Sequence, residues 1–302
     1  MSKEVCQATN RRNAVARLRM ARSTGNYVLW VEGPDDCVVL ERFAAPCCRV
    51  YELSGKSYVL RAVREALVAR PPLDGFVGLV DRDFDDLHND PLPARLAIVS
   101  STYADLEASM LSSGAGALLT DLVRREHRES IPWLNAAAGA GPLDSLAATI
   151  VAPVGALRSV WNGRHGKIEE PRHPVDDLLD LLQPGQSPTQ ETLVMALKLR
   201  VNPDEAVRIA AAAIKVYTGA NPWHLVRGKD MVRAIATVLS AHPEACYYER
   251  DNADRLVQKI QEKVITLFDF EVLKSAGTFQ QIAKVLDRVG EPLVRYLSLP
   301  QS

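Results

Sequence analysis

Carboxylate side chains directly follow two short apolar runs that are typical of buried β-strands. Glu32 comes after the run over 27–31. Asp81 and Asp83 come after the run over 76–80. Because residues two apart in an extended chain face the same way, we expect Asp81 and Asp83 to point together. Carboxylates packed together repel each other, and a bound Mg²⁺ relieves that repulsion while taking the hard oxygen ligands it prefers. These positions therefore predict a magnesium site.

Further acids lie close in sequence to these three. Asp36 stands four residues after Glu32, and Asp85 continues the acidic run that follows the second apolar segment. Asp105 and Glu107 follow another strand-like run. Two metal ions about 4 Å apart would stabilise the attacking and leaving oxygens of a phosphoryl transfer. The expected ligands of Mg²⁺, or of Mn²⁺ in its place, are Glu32, Asp36, Asp81, Asp83, Asp85 and Glu107.

Strands that alternate with helices would bring these acids to one place. Apolar runs rich in β-forming residues predict strands over 27–31, 49–53, 76–80 and 97–100. Predicted helices cover 10–22, 37–44 with Asp35 or Asp36 as the cap, 56 to about 69, and the segment opened by Thr102 or a neighbour. This alternation indicates an α/β fold with a parallel, doubly wound sheet. Right-handed crossovers place the carboxyl ends of its strands at one edge, where such sheets bind ligands.

The composition and periodicity of the sequence change after about residue 130. Residues 135–144 are rich in Ala and Gly, as in a loop or linker, and the rest of the chain has helical periodicity. We therefore expect an α/β domain over 1–130 that begins with a basic helix, followed by a helical domain over 131–302. Apolar stripes in the helical domain are candidates for a docking and dimerisation surface, or for that domain's own core.

The composition is that of an ordinary globular protein. Lys and Arg number 36 against 37 Asp and Glu, so no global positive field attracts nucleic acid and binding would depend on local patches or metal ions. The five cysteines form no C-x-x-C pair, which favours reduced thiols and a cytoplasmic protein. The first residues lack the apolar stretch of a secretory signal, and we expect no membrane span.

Two acidic segments resemble the motifs of toprim domains. LWVEGPDDCVVLERF is similar to the first motif, a strand followed by Glu-Gly and a further acid. GFVGLVDRDFDD is similar to the second, a strand followed by Asp-x-Asp. The closest resemblance is to stand-alone toprim effectors that accompany ABC-type ATPases in anti-phage systems, and to the OLD-type nucleases. It covers residues 25–110 well, with further similar segments in SGKSYVLRAV, TYADLEASM and WHLVRGKDM.

The resemblance implies roles for individual residues. Glu32 would be a metal ligand and the general acid or base. Asp81 and Asp83 would bind the metal, and Asp36 would complete a second site as in OLD-type nucleases. Those nucleases also use a lysine beyond the acidic motifs to stabilise the transition state, and both Lys56 and Lys229 are candidates for it. In the effector group a histidine is usual where Lys229 stands, which puts the role of this lysine in question.

Three arginines are candidates for contacts with the phosphates of a nucleic acid. Arg12 and Arg19 neighbour each other on the predicted first helix, away from its apolar face, and Arg82 lies between two acids of the second motif. With the resemblance, these residues predict a Mg²⁺-dependent nuclease acting on DNA or RNA, tRNA included. The resemblance further implies an anti-phage effector controlled by an ABC- or SMC-type ATPase, and a homodimer.

Two other functions remain open. The toprim fold can serve as a catalytically silent module that docks a partner. A phosphatase of the haloacid-dehalogenase type also uses Asp-x-Asp after a strand, but Asp85 stands where that class has Thr or Val, and the Glu32 motif has no counterpart there. A nucleotide-binding P-loop at Gly55-Lys56-Ser57 is disfavoured because Val50 occupies the position of the first glycine.

Overall fold

The computed structural model describes residues 13–83, 97–134, 141–165, 174–183, 185–197, 202–248 and 252–267, together with Ile282. Two compact units divide the chain. We call Met1–Arg82, Pro91–Thr102 and Phe268–Ser302 the sheet unit, and Asp83–Asp90 with Tyr103–Leu267 the helical unit.

The sheet unit contains a four-stranded parallel sheet. Its strands are β1 Tyr27–Val31, β2 Cys48–Glu52, β3 Phe76–Val80 and β4 Ile98–Ser100. Their order is β2-β1-β3-β4, and each neighbouring pair is parallel. This arrangement confirms the α/β fold class with a parallel sheet. The first and third strands have the predicted bounds, the second lies one residue earlier than predicted, and the fourth begins one residue later.

Three helices complete the described part of the sheet unit: α1 Ala14–Ser23, α2 Pro34–Phe43 and α3 Lys56–Val68. Val59, Ala62, Val63 and Ala66 of α3 are buried at the spacing of one helical face, which packs into the core against the sheet. Trp30 on β1 is fully buried, and its ring centroid lies 5.2 Å from that of Phe76 on β3. This core fixes β1 and β3 side by side.

The described part of the helical unit contains further helices. They are α4 Leu106–Leu122, α5 Pro142–Leu146, α6 Ala152–His165, α7 Pro174–Leu181, α8 Gln190–Leu197, α9 Pro203–Gly219, α10 Gly228–Ser240 and α11 Ala253–Leu267. A π-helical turn over Ala147–Val151 joins α5 to α6. Single 3₁₀ helices cover Arg125–Ser130, Pro132–Leu134, Pro222–His224 and Pro243–Ala245. A Cβ placed on Gly155 would lie 1.8 Å from the Leu225 carbonyl oxygen, so only glycine allows this close packing.

The division into units differs in position from the predicted domain boundary. Residues 103–130, assigned from the sequence to the α/β domain, group with the helical unit. A folding boundary near residue 130, a separate C-terminal lobe and the toprim identity of the sheet unit stay predictions.

One helical stretch, Pro142–Trp161, is long and apolar enough to cross a membrane by length and composition alone. Of its most apolar window, 78% is buried inside the protein, as in the core helix of a globular domain. This burial gives the apolar character a packing explanation within the helical unit.

Gly78 tests the packing of α3 on the sheet. A Cβ at this position of β3 would lie 2.8 Å from Val59 Cγ1 and 3.0 Å from Val63 Cγ2. We therefore expect Gly78→Ala to lower the free energy of unfolding by about 1–3 kcal/mol, because α3 must shift to make room. Gly116→Ala is the control. A Cβ at this position of α4 meets open space, and alanine replaces glycine, which is a poor helix former. It should raise stability by about 0.5–1 kcal/mol. Urea denaturation measures both, and equal effects would contradict the packing.

Candidate functional site at the carboxyl edge of the sheet

Glu32 and Asp81 meet at the carboxyl ends of neighbouring strands. Glu32 immediately follows β1, Asp81 immediately follows β3, and these two strands pair in parallel. The backbone N–H of Asp81 donates a 2.6 Å hydrogen bond to Oε1 of Glu32. Both residues are only partly buried, so solvent reaches them. The prediction that these two positions adjoin at one sheet edge is therefore confirmed.

Lys56 lies at the same edge, at the first residue of α3. Its Nζ donates a 2.6 Å hydrogen bond to the carbonyl oxygen of Asp81. The turn before it is fastened to β1, because the N–H of Gly55 donates to the Glu32 carbonyl oxygen at 2.9 Å. Gly55 has φ 128°, a conformation that favours glycine. The backbone of β1 therefore positions the lysine beside the two acids.

Arg82 is attached to the segment that follows β4. Its N–H donates to Ser101 Oγ at 2.9 Å, and its guanidinium donates to the Thr102 carbonyl oxygen at 3.0 Å. These bonds hold the arginine at the edge that carries Glu32 and Asp81. Its predicted contact with phosphate stays a prediction.

Asp36 has a structural contact that the sequence analysis did not assign. The N-cap position of α2 is Gly33, not Asp35 or Asp36 as predicted, but Asp36 contributes the side-chain bond of a capping box. Asp36 instead lies in the first turn, and its Oδ2 accepts the Gly33 N–H at 3.0 Å. A carboxylate in the first turn also interacts favourably with the positive end of the helix dipole. This contact explains Asp36 without a metal, and its role as a ligand stays a prediction.

Asp83 does not continue the strand. Strand β3 ends at Val80, and Asp83 lies in a turn with φ 50°, in the left-handed region. The alternation expected for Asp81 and Asp83 therefore does not apply, because it requires extended backbone. In the helical unit the Asp83 N–H donates to the Ala104 carbonyl oxygen at 2.7 Å. Aspartate tolerates this conformation better than most residues, which accounts for the residue type at this turn.

Asp105 caps one helix and binds the start of another within the helical unit. Its Oδ1 accepts the Ala108 N–H at 2.7 Å, which caps α4. Its Oδ2 accepts the Gly228 N–H, at the start of α10, at 2.8 Å. A Cβ on Gly228 would lie 2.2 Å from Glu107 Cβ, so this approach also requires glycine. An aspartate before an apolar helical run is a recognisable capping signal, but nothing in the sequence predicts the contact of Asp105 with Gly228.

The carboxyl group of Asp105 has a raised pKa. Burial removes water from the charged form, and the neighbouring Glu107 carboxylate adds repulsion, so the pKa rises from 3.8 to about 7. The N–H groups of Ala108 and Gly228 and the charge of Arg227 oppose this rise without cancelling it. Glu107, predicted as a metal ligand, is itself buried beside this group.

The Gly228-Lys229-Asp230 segment mixes structural and exposed positions. Asp230 is buried, and its Oδ1 accepts from Arg158 NH2 on α6 at 3.1 Å. Gly228 makes the close approach to Asp105 and Glu107. Lys229, between them, is exposed. Two of the three residues are therefore explained by packing of the helical unit.

The remaining predicted residues are not brought to the sheet edge by any described contact. Arg19 is exposed on α1. Arg12 and Asp85 lie outside the described residues. Among the residues that the structure does describe, no group of three or more His, Cys, Asp and Glu side chains is arranged to hold a metal ion. The described edge thus offers Glu32 and Asp81 as carboxylates, with Lys56 next to them.

Asp105 gives a pH dependence whose sign can be worked out. A carboxyl group with a raised folded pKa holds a proton in the folded state that the unfolded chain has already lost. Raising the pH from about 4 to about 7 should therefore destabilise the protein through this group, and the loss levels off above the folded pKa. Asp105→Asn keeps an acceptor oxygen for Ala108 and Gly228 but cannot ionise. In urea denaturation, the stability of Asp105→Asn relative to the wild type should rise as the pH increases from about 4 to about 7. A difference that stays constant over this range would refute the raised pKa of Asp105.

Comparison with known proteins gives no family assignment. No family model matches the chain, and no curated protein matches it. The toprim resemblance of the two acidic segments therefore stays a prediction.

Proposed function

We propose that this protein is a metal-dependent phosphodiesterase acting on nucleic acid, with its active site at the carboxyl edge of the sheet. The observation that carries the proposal is the hydrogen-bonded set of Glu32, Asp81 and Lys56. The Glu32 carboxylate accepts from the Asp81 backbone, and the Lys56 ammonium donates to that same residue. Two acids and a lysine at the strand ends of a parallel sheet stand where α/β proteins bind their ligands.

The donor set suits Mg²⁺ better than a metal that needs a closed protein cage. Mg²⁺ is commonly bound by one or two carboxylates, with water and substrate phosphate oxygens completing its octahedron. Glu32 and Asp81 supply such a pair, and both are partly exposed to solvent. When bound, the ion would stabilise the negative charge that develops on phosphate oxygens. Mn²⁺ shares these preferences for oxygen ligands.

The protein's own groups divide the remaining tasks. Glu32 is the candidate for moving a proton at the attacking or leaving oxygen, in keeping with the role implied by the toprim resemblance. Lys56 carries its positive charge beside Asp81, where it would stabilise the phosphate in the transition state. Arg82 would orient the substrate backbone, since its guanidinium is fixed by Thr102 at this edge. Recognition through phosphates leaves the choice between DNA and RNA to other contacts.

Control of the reaction belongs to the same proposal. Basic and acidic residues nearly cancel, so the chain has no broad positive field to hold nucleic acid by itself. An ATPase partner, an anti-phage role and a homodimer are the expectations that follow from the toprim resemblance. They stay proposals, as does a cytoplasmic location.

A second candidate function is a catalytically silent module that docks a partner. It is favoured by the structural contacts of the acids themselves. Glu32 accepts a backbone N–H from Asp81, and Asp36 accepts one from Gly33. Groups that tie backbone segments together need no metal to explain their presence. The variants below separate this function from catalysis.

Removing the charges of Glu32 and Asp81 tests the active site. Glu32→Gln keeps an acceptor oxygen for the Asp81 N–H, so the fold should persist while Mg²⁺-dependent cleavage falls by about 100-fold or more. Asp81→Asn should have a similar effect because its backbone contacts remain. Cleavage of labelled DNA and RNA with Mg²⁺ or Mn²⁺ measures the rates.

Glu65→Gln is the matched control for these variants. Glu65 is an exposed residue of α3 that pairs with Arg61, so its charge can be removed without touching the edge. Its cleavage rate should equal that of the wild type. Wild-type rates in both site variants would exclude the proposed site, and no cleavage by any form of the protein, with metal and partner supplied, would favour the silent docking module.

The two candidate lysines can be distinguished by the same assay. Lys56 contacts Asp81, whereas Lys229 is an exposed residue at the start of α10. We expect Lys56→Met to lower kcat by about 100-fold, the order seen when one charge-stabilising donor is removed. Lys229→Met should change kcat by less than about threefold, within surface effects of about 0.5 kcal/mol. The reverse order of effects would move the assisting lysine to α10.

A further inference from the structure

A cavity of about 430 Å³ lies in the helical unit, apart from every residue assigned above. Its wall includes Leu119 and Val123 at the end of α4 and Leu134 in the 3₁₀ helix Pro132–Leu134. These three side chains are almost completely buried and give the cavity an apolar floor. A concave space of this size, with an apolar floor, is in the range of small-molecule binding sites.

Two arginines also line this cavity. Arg125 and Arg128 belong to the 3₁₀ helix Arg125–Ser130. Because a 3₁₀ helix has three residues per turn, positions three apart project from the same side. Both side chains therefore reach one opening, while Glu126 and Glu129 of the same helix are absent from its lining.

The charges of these two arginines are not used inside the protein. Within the part of the chain that the structure describes, neither guanidinium makes a hydrogen bond or ion pair. Other arginines of the helical unit are paired, such as Arg158 with Asp230 at 3.1 Å and Arg233 with Asp176 at 2.8 Å. Both arginines are exposed to solvent, so an anion from solution can reach their guanidinium groups. Two like charges on one side of a short helix also repel each other, and a bound anion would offset the repulsion that solvent leaves unscreened.

We propose that this cavity binds a small organic anion, with its apolar body against Leu119, Val123 and Leu134 and its phosphate or carboxylate group between Arg125 and Arg128. Guanidinium groups form paired hydrogen bonds with both kinds of anion. The volume admits a body of about one aromatic or nucleoside ring system together with the anionic group. This site is independent of the proposed phosphodiesterase, because none of its residues belongs to the carboxyl edge of the sheet.

Binding of three related probes tests the ligand chemistry. Phenyl phosphate and benzoate carry the two anionic groups on the same ring, and phenol carries the ring without a full charge. Calorimetric titration should show saturable binding of at least one anion with a Kd on the order of 1 mM or tighter, as expected for ligands of this size. Phenol should bind about tenfold more weakly or worse, because it lacks the charge-assisted hydrogen bonds. The stronger of the two anions identifies the anionic group.

Charge removal at neighbouring positions distinguishes the cavity from a general basic surface. Arg125→Gln with Arg128→Gln should weaken anion binding by about tenfold or more. Arg124→Gln is the matched control, because its guanidinium lies over the Tyr247 ring at 5.9 Å and does not line the cavity. It should leave the Kd within about twofold.

Filling the cavity tests the apolar floor without risking the fold. Gly116 lines the cavity from α4, and a Cβ there would meet no atom within 4 Å. Gly116→Leu should raise the Tm, since leucine is a better helix former, yet abolish the Tm shift caused by the anion. Gly116→Ala should raise the Tm and retain that shift, because a single methyl group occupies little of the space.

Four results would overturn the proposal. The first is the absence of saturable binding for both anions. The second is equal loss of binding in the Arg124 variant and in the double variant. The third is unchanged binding in Gly116→Leu. The fourth is binding of a polynucleotide that the double variant weakens while neither small anion competes with it. That last outcome would make the arginines part of a nucleic-acid surface.

Discussion

The parallel pairing of β1 with β3 is the constraint on which the candidate site depends. Pairing of Val28 with Phe76 and of Trp30 with Gly78 brings the ends of both strands to one edge. The Glu32 carboxylate then accepts a hydrogen bond from the N–H of Asp81, the first residue after β3. A charge-assisted hydrogen bond of this kind is stronger than one between neutral groups. This hydrogen bond holds the Glu32 side chain and the backbone of Asp81 together at the edge of the sheet.

The hydrogen bond between Glu32 and Asp81 serves both the fold and the candidate active site. Asp81 is held from two sides, through its N–H by Glu32 and through its carbonyl oxygen by Lys56. An edge whose backbone is already fixed by Glu32 and Lys56 needs little rearrangement when a cation arrives. Pre-organisation of this kind is what electrostatic catalysis requires.

The sequence predicts the sheet and its edge well because both depend on local patterns. Apolar runs closed by Gly, Pro or acids locate the strands to within one residue, and the handedness of crossovers then determines where their ends meet. The sequence predicts side-chain positions less well where the backbone departs from a regular strand or helix. Asp83 was expected to continue the strand, but its φ of 50° places it in a turn. Asp36 was expected to cap α2, but it accepts the N–H of Gly33 from the first turn.

Contacts between distant parts of the chain lie beyond such patterns. Asp105 and Gly228 are 123 residues apart, and neither residue type alone indicates that a helix start approaches a buried carboxylate. The spacing of Arg125 and Arg128 also has no fixed meaning in the sequence. In an α-helix, positions three apart diverge by about 60°, whereas in a 3₁₀ helix they coincide. The observed 3₁₀ helix aligns both charges on one side, over an apolar floor contributed by α4 and Leu134. Arg125 and Arg128 are both exposed to solvent, so their repulsion is screened, and an anion of matching size would gain charge-assisted hydrogen bonds from both.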